Sequence, residues 1–262
     1  MGSSLSYDRV ADIYDATRSL PEDVARKLTD ALLAELSVVG ADRALEVGIG
    51  TGRIARPLAE RGMRVCGIDI APRMLARLRE QLGPGHLPPD LVLGDATRLP
   101  IRSGSFRAVL AVHVLHLVSS LERAAGELRR VLGPGGVLFR SHVRYGGEPH
   151  WDAGGEKWDE LIRARSFVPR RSPRPAEIRD ALRAVGGSYR TEPYGQGEDR
   201  RTPGENLDRI RRRIDSWSWE IPDDLFADCL REFEPWYRRH YGDMDLELAQ
   251  PLTYEVEVWS FA

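Results

Sequence analysis

Residues 45–53 read LEVGIGTGR, an apolar stretch that runs straight into glycines at 48, 50 and 52. A strand that ends this way has to turn sharply, because glycine alone takes positive φ freely. The bare backbone then lets a ligand come close to the chain and to the positive end of the helix that follows. A strand, loop and helix in this order belong to a parallel α/β sheet. The dinucleotide fingerprint spaces its glycines as G-x-G-x-x-G, whereas here Arg53 fills the third fingerprint position, which argues against a nicotinamide cofactor. A tight turn with no ligand is the plain alternative for a glycine loop taken alone.

The flanking sequence keeps the same alternation. Val24, Leu28, Leu32 and Leu36 line one face of a helix opened by Pro21 and stopped by Gly40. Strands are predicted over 44–47, 64–68, 91–93, 106–115 and 137–143. Helices lie between them around Ile54, Leu58 and Ala59, over 71–82 and over 121–132, with a loop at 83–89 and a turn at Gly133-Pro134-Gly135-Gly136. Beyond 145 the pattern changes: helices over 151–167 and 175–185, a strand over 189–194, and two amphipathic segments. Leu207, Ile210, Ile214 and Trp217 mark the first of these, and Leu225, Cys229, Phe233 and Trp236 the second. This part reads as a helical cap. Residues 253–261 alternate Tyr254, Val256 and Val258 with Glu255 and Glu257, a strand with two unlike faces that returns to the sheet. The expected organisation is a lid and first helix (1–40), an α/β core (41–144), a cap interleaved with a late helix and strand (145–251) and a final strand (252–262).

Composition excludes several classes. A chain of 262 residues suits one α/β domain with an elaboration. No apolar run approaches the roughly 20 residues a membrane helix needs. The N-terminus lacks the basic start and apolar core of a secretory leader, so the cytoplasm is the expected compartment. Cys66 and Cys229 lie far apart in apolar surroundings and suggest neither a disulfide nor a metal cluster. A formal net charge of −2 lacks the field of a dedicated nucleic-acid binder. The arginine-rich stretch 200–213 is followed closely by Asp215, Asp223, Asp224 and Asp228, so a salt-bridged helix face is the better reading than an anion site.

Two acids stand where open α/β sheets bind ligands, at the carboxyl ends of strands. Asp69, in VCGIDI, is placed to accept hydrogen bonds from both hydroxyls of a ribose, with Ile70 beside it; capping the helix that begins at Ala71 is the competing role, and both can hold. Asp95, in GDATRLP, can accept from an adenine amino group while the Ala96 backbone donates, or it can simply cap a turn.

Taken in order, LEVGIGTGR, GIDIAPRML, GDATRLP, FRAVLAVHVLHLV and LRRVLGPGGVLF resemble the successive motifs of class I methyltransferases that use S-adenosylmethionine (SAM), especially the small-molecule group that includes quinone C-methyltransferases. The resemblance covers about residues 40 to 143, and YDRVADIYDATR is similar to the lid segment of that group. It implies a Rossmann-like, seven-stranded, mostly parallel sheet with helical cap insertions, and S-adenosylhomocysteine (SAH) as product. It also implies that Gly48, Gly50 and Gly52 hold the methionine part of SAM, that Asp69 holds the ribose, and that Asp95 with Ala96 holds the adenine. Glu46 matches the acidic position that contacts the methionine ammonium, and Tyr14 and Arg18 resemble lid residues near the SAM carboxylate.

Methyl transfer from a sulfonium is an in-line displacement, so holding donor and acceptor in attack geometry supplies most of the catalysis. A base is needed only where the acceptor must lose a proton. His113 and His116, just past the fourth strand, are the candidates, His113 also as a wall of the adenosyl site; capping or packing roles compete, and no third ligand suggests a metal. Trp151, Trp158, Trp217, Trp219 and Trp236 belong mainly to a core, with an apolar acceptor pocket as the other reading. The expected partner is a small-molecule methyl acceptor, with no nucleic acid and no membrane, for a monomer or homodimer. A nicotinamide oxidoreductase and a SAM-fold protein without catalysis are the two alternatives.

Overall fold

The computed structural model describes residues 4–18, 20–82, 90–147 and 149–261, and the loop expected at 83–89 lies outside them. A 3-10 turn (Tyr7–Val10) and a short helix α1 (Tyr14–Arg18) precede α2 (Glu22–Val38), whose buried face is the predicted one. Then follow β1 (Arg43–Val47), α3 (Ala55–Glu60), β2 (Arg64–Asp69), α4 (Pro72–Gln81), β3 (Asp90–Leu93), β4 (Phe106–Leu110), α5 (Leu121–Val131) and β5 (Leu132–Tyr145). The remaining elements are α6 (Asp152–Arg163), α7 (Pro175–Ala184), β6 (Gly187–Arg201), α8 (Pro203–Arg211), α9 (Asp223–Tyr241) and β7 (Leu248–Phe261).

The strands form one seven-stranded sheet in the order β3-β2-β1-β4-β5-β7-β6. β1 pairs in parallel with both β2 and β4, β2 with β3, and β4 with β5, so the carboxyl ends of these strands share one edge. Parallel strands covered by helices are buried on both faces, which explains why Leu45, Val47, Ile68, Val109 and Leu138 are all inaccessible.

The chain divides into two compact units. Met1–Val143, Pro173–Gly195 and Tyr254–Ala262 make the first, and Arg144–Ser172 with Gln196–Thr253 the second. The second unit has its own aromatic core. Trp158 packs on Phe226 at 4.9 Å, Phe233 at 5.0 Å and Trp217 at 5.3 Å between ring centroids. Trp158 is thus a core residue, while Trp236 packs against this cluster from a half-buried position.

Several boundaries differ from the sequence expectation for identifiable reasons. β4 ends at Leu110, not at 115: Ala111 still donates to the Phe139 carbonyl at 2.8 Å, and then the chain turns, with His113 at φ +53°. The glycines before β5 do not form a separate turn. They are taken into the strand as an irregularity that shifts the register between Phe106 opposite Leu132 and Ala108 opposite Val137. α8 stops at Arg211, so Ile214 and Trp217 are not on its face. Arg213 takes φ +50°, and its buried guanidinium donates to the carbonyls of Ser218 and Ile221 and to Asp223, which fixes the following loop instead of a further helical turn. Elsewhere in this stretch the arginines do pair, Arg209 with Asp215 and Arg211 with Asp208 and Glu234.

The largest departure is in β7, where the expected polar face is buried. Glu257 is 0% exposed and Glu255 8%. Glu257 is satisfied by Arg140 at 2.8 Å, Arg179 at 2.7 Å and the Trp259 indole N–H at 3.0 Å, and Glu255 lies 3.2 Å from His142. A charge can leave water when it is paired and hydrogen-bonded, and β5 and α7 supply the pairing here. Burial works to raise the Glu257 carboxyl, but the two guanidiniums and the indole outweigh it and hold it below the ordinary range.

Candidate functional site

The loop that leaves β1 is tied to the end of β2. Gly48 and Ile49 both donate to the Ile68 carbonyl, at 2.7 and 3.1 Å, Gly50 donates to Asp69 Oδ2 at 2.8 Å, and Gly52 to the Ile49 carbonyl at 2.9 Å. These amides are spent inside the fold. The helix that follows, α3, is six residues long. Glycine is required for another reason: Gly48 and Gly52 sit at φ +76° and +79°, and a Cβ on Gly48 would stand 2.6 Å from the Val114 side chain.

Asp69 performs the capping role and more. Its Oδ1 accepts from the Ala71 amide at 2.8 Å while Oδ2 holds Gly50. Burial raises this carboxyl, with the Ala71 and Gly50 amides opposing. Asp95 lies two residues beyond the end of β3, in a turn where Oδ1 accepts from the Thr97 amide (2.8 Å) and hydroxyl (2.9 Å).

Beside this edge lies a cleft lined among others by Tyr14, Gly48, Asp69, Ile70, Asp95, Ala96 and His113. Gly50 does not line this cleft, and Gly52 opens onto a neighbouring hollow with Thr51, Arg53 and Arg56. His116 does not line it either, although it lies within electrostatic reach of His113. Of the three glycines expected at the site, Gly48 lines this cleft, and Gly50 and Gly52 shape the loop beside it.

Beneath the loop Glu46 is 2% exposed, and its Oε2 has no hydrogen-bond partner. Burial pushes its carboxyl up to about 8, against the pull of Arg53. Glu46 does not itself line the cleft, whose wall includes its neighbour Val47, but leaving a buried carboxyl oxygen without a partner is costly.

The N-terminal segment crosses the cleft in a way the sequence did not disclose. Ser4 Oγ donates to Asp95 Oδ2 at 2.9 Å and accepts from the Ser119 amide at 3.0 Å, and the Leu5 amide donates to the Leu117 carbonyl at 2.9 Å. Asp15 on α1 accepts from the Thr51 hydroxyl at 2.5 Å and from Gln81 Nε2 at 2.8 Å. The Arg53 guanidinium donates to the carbonyl of Arg18. Tyr14 stacks edge-on with Tyr7, its ring packed near Ala71 and Met74, and burial raises its hydroxyl. Arg18 itself does not line the cleft; its charge acts on Tyr14 and His113.

His113 is half-buried, and burial first, then the charges of Arg53, His116, Arg140 and Arg18, push its imidazole down to about 3. It is neutral across the physiological range and a feeble base.

The stretch from β1 to Arg140, residues 45–140, matches a family model described as a methyltransferase domain. Across 167 residues the chain is 31% identical to the malonyl-[acyl-carrier protein] O-methyltransferase of Serratia marcescens, covering 63% of this chain and 61% of that protein. Across 145 residues it is 34% identical to the demethylmenaquinone methyltransferase of Renibacterium salmoninarum, covering 53% and 59%. The chain thus spans about three fifths of the length of these relatives. In fold it is similar to a SAM-dependent methyltransferase from Thermotoga maritima, with a TM-score of 0.51, 18% identity and coverage of 96% and 97%.

SAM is the methyl donor of this domain class, and the residues present fit it. The unpartnered Glu46 Oε2 suits the methionine ammonium, the wall at Gly48 has no room for a side chain, and Asp69 and Asp95 each keep acceptor capacity on the cleft. Among the described residues no helix is long and apolar enough to cross a membrane.

Proposed function

We propose that this protein is a SAM-dependent methyltransferase that acts on a small-molecule acceptor. The carrying observation is the cleft that brings Gly48, Asp69 and Asp95 together, beside Val47 and next in sequence to the buried Glu46, whose Oε2 has no hydrogen-bond partner. In this reading Glu46 receives the ammonium, Tyr14 serves the carboxylate end with the charge of Arg18 acting on it from outside the cleft, Asp69 takes the ribose hydroxyls with Ile70 against the sugar, and Asp95 with the Ala96 backbone takes the adenine amino group. SAM supplies an electrophilic methyl group poised for in-line displacement. The chain's own contribution is orientation and exclusion of water, the latter through the N-terminal segment bonded across the cleft by Ser4, Leu5 and Asp15.

His113 faces the cleft as a neutral imidazole. With its basicity so reduced it serves as a polar wall and hydrogen-bond partner, and the catalytic-base role expected for His113 is withdrawn from this reading. His116, which does not line the cleft, is a positioning residue in this reading. Action on a free small molecule in the cytoplasm, as a monomer or homodimer and without nucleic acid, completes the reading, and the net charge of −2 supports it.

Calorimetry with SAM, SAH and NAD(P) tests it directly. Stoichiometric binding of SAM and SAH, with none of NAD(P), is the expected result. NAD(P) binding with no heat from SAM or SAH would overturn it in favour of an oxidoreductase. Tight SAM binding without transfer to any fraction of a labelled-methyl assay would favour a binding protein.

A further inference from the structure

At the other edge of the sheet, where the parallel strands begin, β1 and β2 each open on an arginine. Arg43 and Arg64 are register partners on these neighbouring strands. Residues paired in this way stand about 4.8 Å apart across the sheet, so two guanidiniums leave the backbone side by side. Like charges so close repel one another, and neither has a carboxylate partner among the described residues. Arg43 donates to the Ser105 carbonyl at 3.0 Å and lies over the Phe106 ring, 4.9 Å from its centroid. Arginines nearby are treated otherwise, Arg61 pairing with Asp30 and Arg130 with Glu127.

A third arginine completes the group. Arg102 lines one hollow with Arg43, Arg64, Cys66, Asp90 and Phe106, and it too forms no ion pair among the described residues. All three arginines are exposed and open to a ligand. The loop that carries Arg102 is fixed from behind. Arg130 donates to the carbonyls of Leu99 at 3.0 Å and Ile101 at 2.7 Å, the Gly104 amide donates to the Arg130 carbonyl at 2.9 Å, and the Ser105 hydroxyl to the Arg102 carbonyl at 2.7 Å. With two arginines rooted on strands and one on a pinned loop, little backbone ordering is left for a ligand to impose. The charge of the hollow is lopsided: three guanidiniums share it with one carboxylate, that of Asp90, whose register partner is Cys66. Burial first, then Asp90, push the Cys66 thiol up, so it stays protonated at neutral pH and adds no second negative charge.

We propose that this hollow is a binding site for a small phosphate monoester, held by Arg43, Arg64 and Arg102. A phosphoryl group carries close to two negative charges at neutral pH, which matches the excess left when three positive charges meet one negative, and it offers three acceptor oxygens to three guanidiniums. A single carboxylate leaves one of those positive charges unmet. Phosphate between Arg43 and Arg64 also turns their repulsion into shared attraction, so binding stabilises the folded chain. The site is independent of what the cleft holds: Val47 and Asp69, at the far ends of β1 and β2, line the cleft, and Arg43 and Arg64 do not.

The test titrates the full chain with glycerol 3-phosphate, inorganic phosphate and acetate, at one ionic strength held with sodium chloride, and reads calorimetry and melting temperature. Saturable binding of one ester per chain, at least tenfold tighter than acetate and weakening as pH falls below about 6, where the dianion takes up a proton, supports the proposal. Arg64→Gln should weaken the ester at least tenfold yet melt no lower than the parent in chloride, because a repelling charge has gone, and Arg64→Lys should restore part of the affinity. Arg102→Gln, on the loop, checks the same loss should Arg64→Gln melt lower. No saturable binding at millimolar ester, or binding that both glutamine variants leave intact, overturns the proposal. Binding of inorganic phosphate without the ester assigns the hollow to the free ion and overturns it too. So does a single-stranded oligonucleotide that binds more tightly than the ester and more so with length, which makes the hollow part of a nucleic-acid surface.

Discussion

The Asp69 carboxylate and the Gly50 amide are joined at 2.8 Å, so the acid at the end of β2 holds the loop that leaves β1. The residue assigned to the ribose is thus also the one that shapes the glycine loop, and the two roles can be separated by experiment. Asp69→Asn keeps the shape and one acceptor oxygen but removes the charge. SAH binding should weaken by about 1.5–3 kcal/mol, the scale of hydrogen bonds to a charged group, in a protein that still unfolds cooperatively. Unchanged SAH affinity in the folded variant would leave Asp69 as a loop tie alone.

Glu46 gives a pH dependence with a definite sign. Its carboxyl is raised from 4.5 to about 8, so between those values the folded protein carries a proton there that the unfolded chain has released. Stability should therefore fall as pH rises through that window, and Glu46→Gln should melt higher than the parent at the alkaline end. Ligand binding runs the other way: an ammonium prefers the ionised carboxylate, so SAH affinity should rise by up to about tenfold per pH unit below the raised value, with a proton released on binding. Calorimetry in buffers of different ionisation heat measures that proton. Its absence, with a flat affinity profile, would remove Glu46 from the ammonium site.

For His113 the expectation is silence. With the imidazole pushed down to about 3, the rate of methyl transfer should show no inflection near the ordinary histidine range that depends on this residue. His113→Asn should change kcat or KM by a factor that is the same at acid and neutral pH. An inflection that this substitution abolishes would restore the general base.

The buried pairs of β7 predict a stability effect far larger than their sequence pattern implies. Glu257→Gln leaves the buried Arg140 and the partly exposed Arg179 short of a counter-charge, and should cost about 3–5 kcal/mol in denaturant unfolding. Adding Arg140→Met to a Glu257→Leu background should recover much of that loss. A loss below about 1 kcal/mol for Glu257→Gln would mean that water reaches the cluster.

The order of elements in the parallel half was legible because each strand there is a continuous apolar run closed by glycine or an acid, and each helix shows its buried spacing. Asp69, Asp95 and Glu46 were legible for the same reason, as they stand at or next to strand ends. What the sequence hid depended on partners distant in the chain. Glu255 and Glu257 looked like a solvent face because Arg140, Arg179 and His142 lie on other elements. Arg213 ended a helix that periodicity would have carried on to Trp217, because a buried guanidinium found carbonyls at Ser218 and Ile221. Arg53 was read only as a misfit to the dinucleotide fingerprint, and its bond to the Arg18 carbonyl needs coordinates to be seen.

Ser4 and Leu5, bonded to Asp95 and Leu117, lay a strap of main chain across the end of the cleft that holds Asp95. Under the proposed function a nucleoside seated beneath it would leave only after those contacts break, so turnover would include a gate that opens once per cycle. Product escape then competes with chemistry for control of the catalytic ceiling. A peptide fused ahead of Ser4 would add drag to that gate, and enzyme tagged at the opposite end would be the fairer specimen for kinetics.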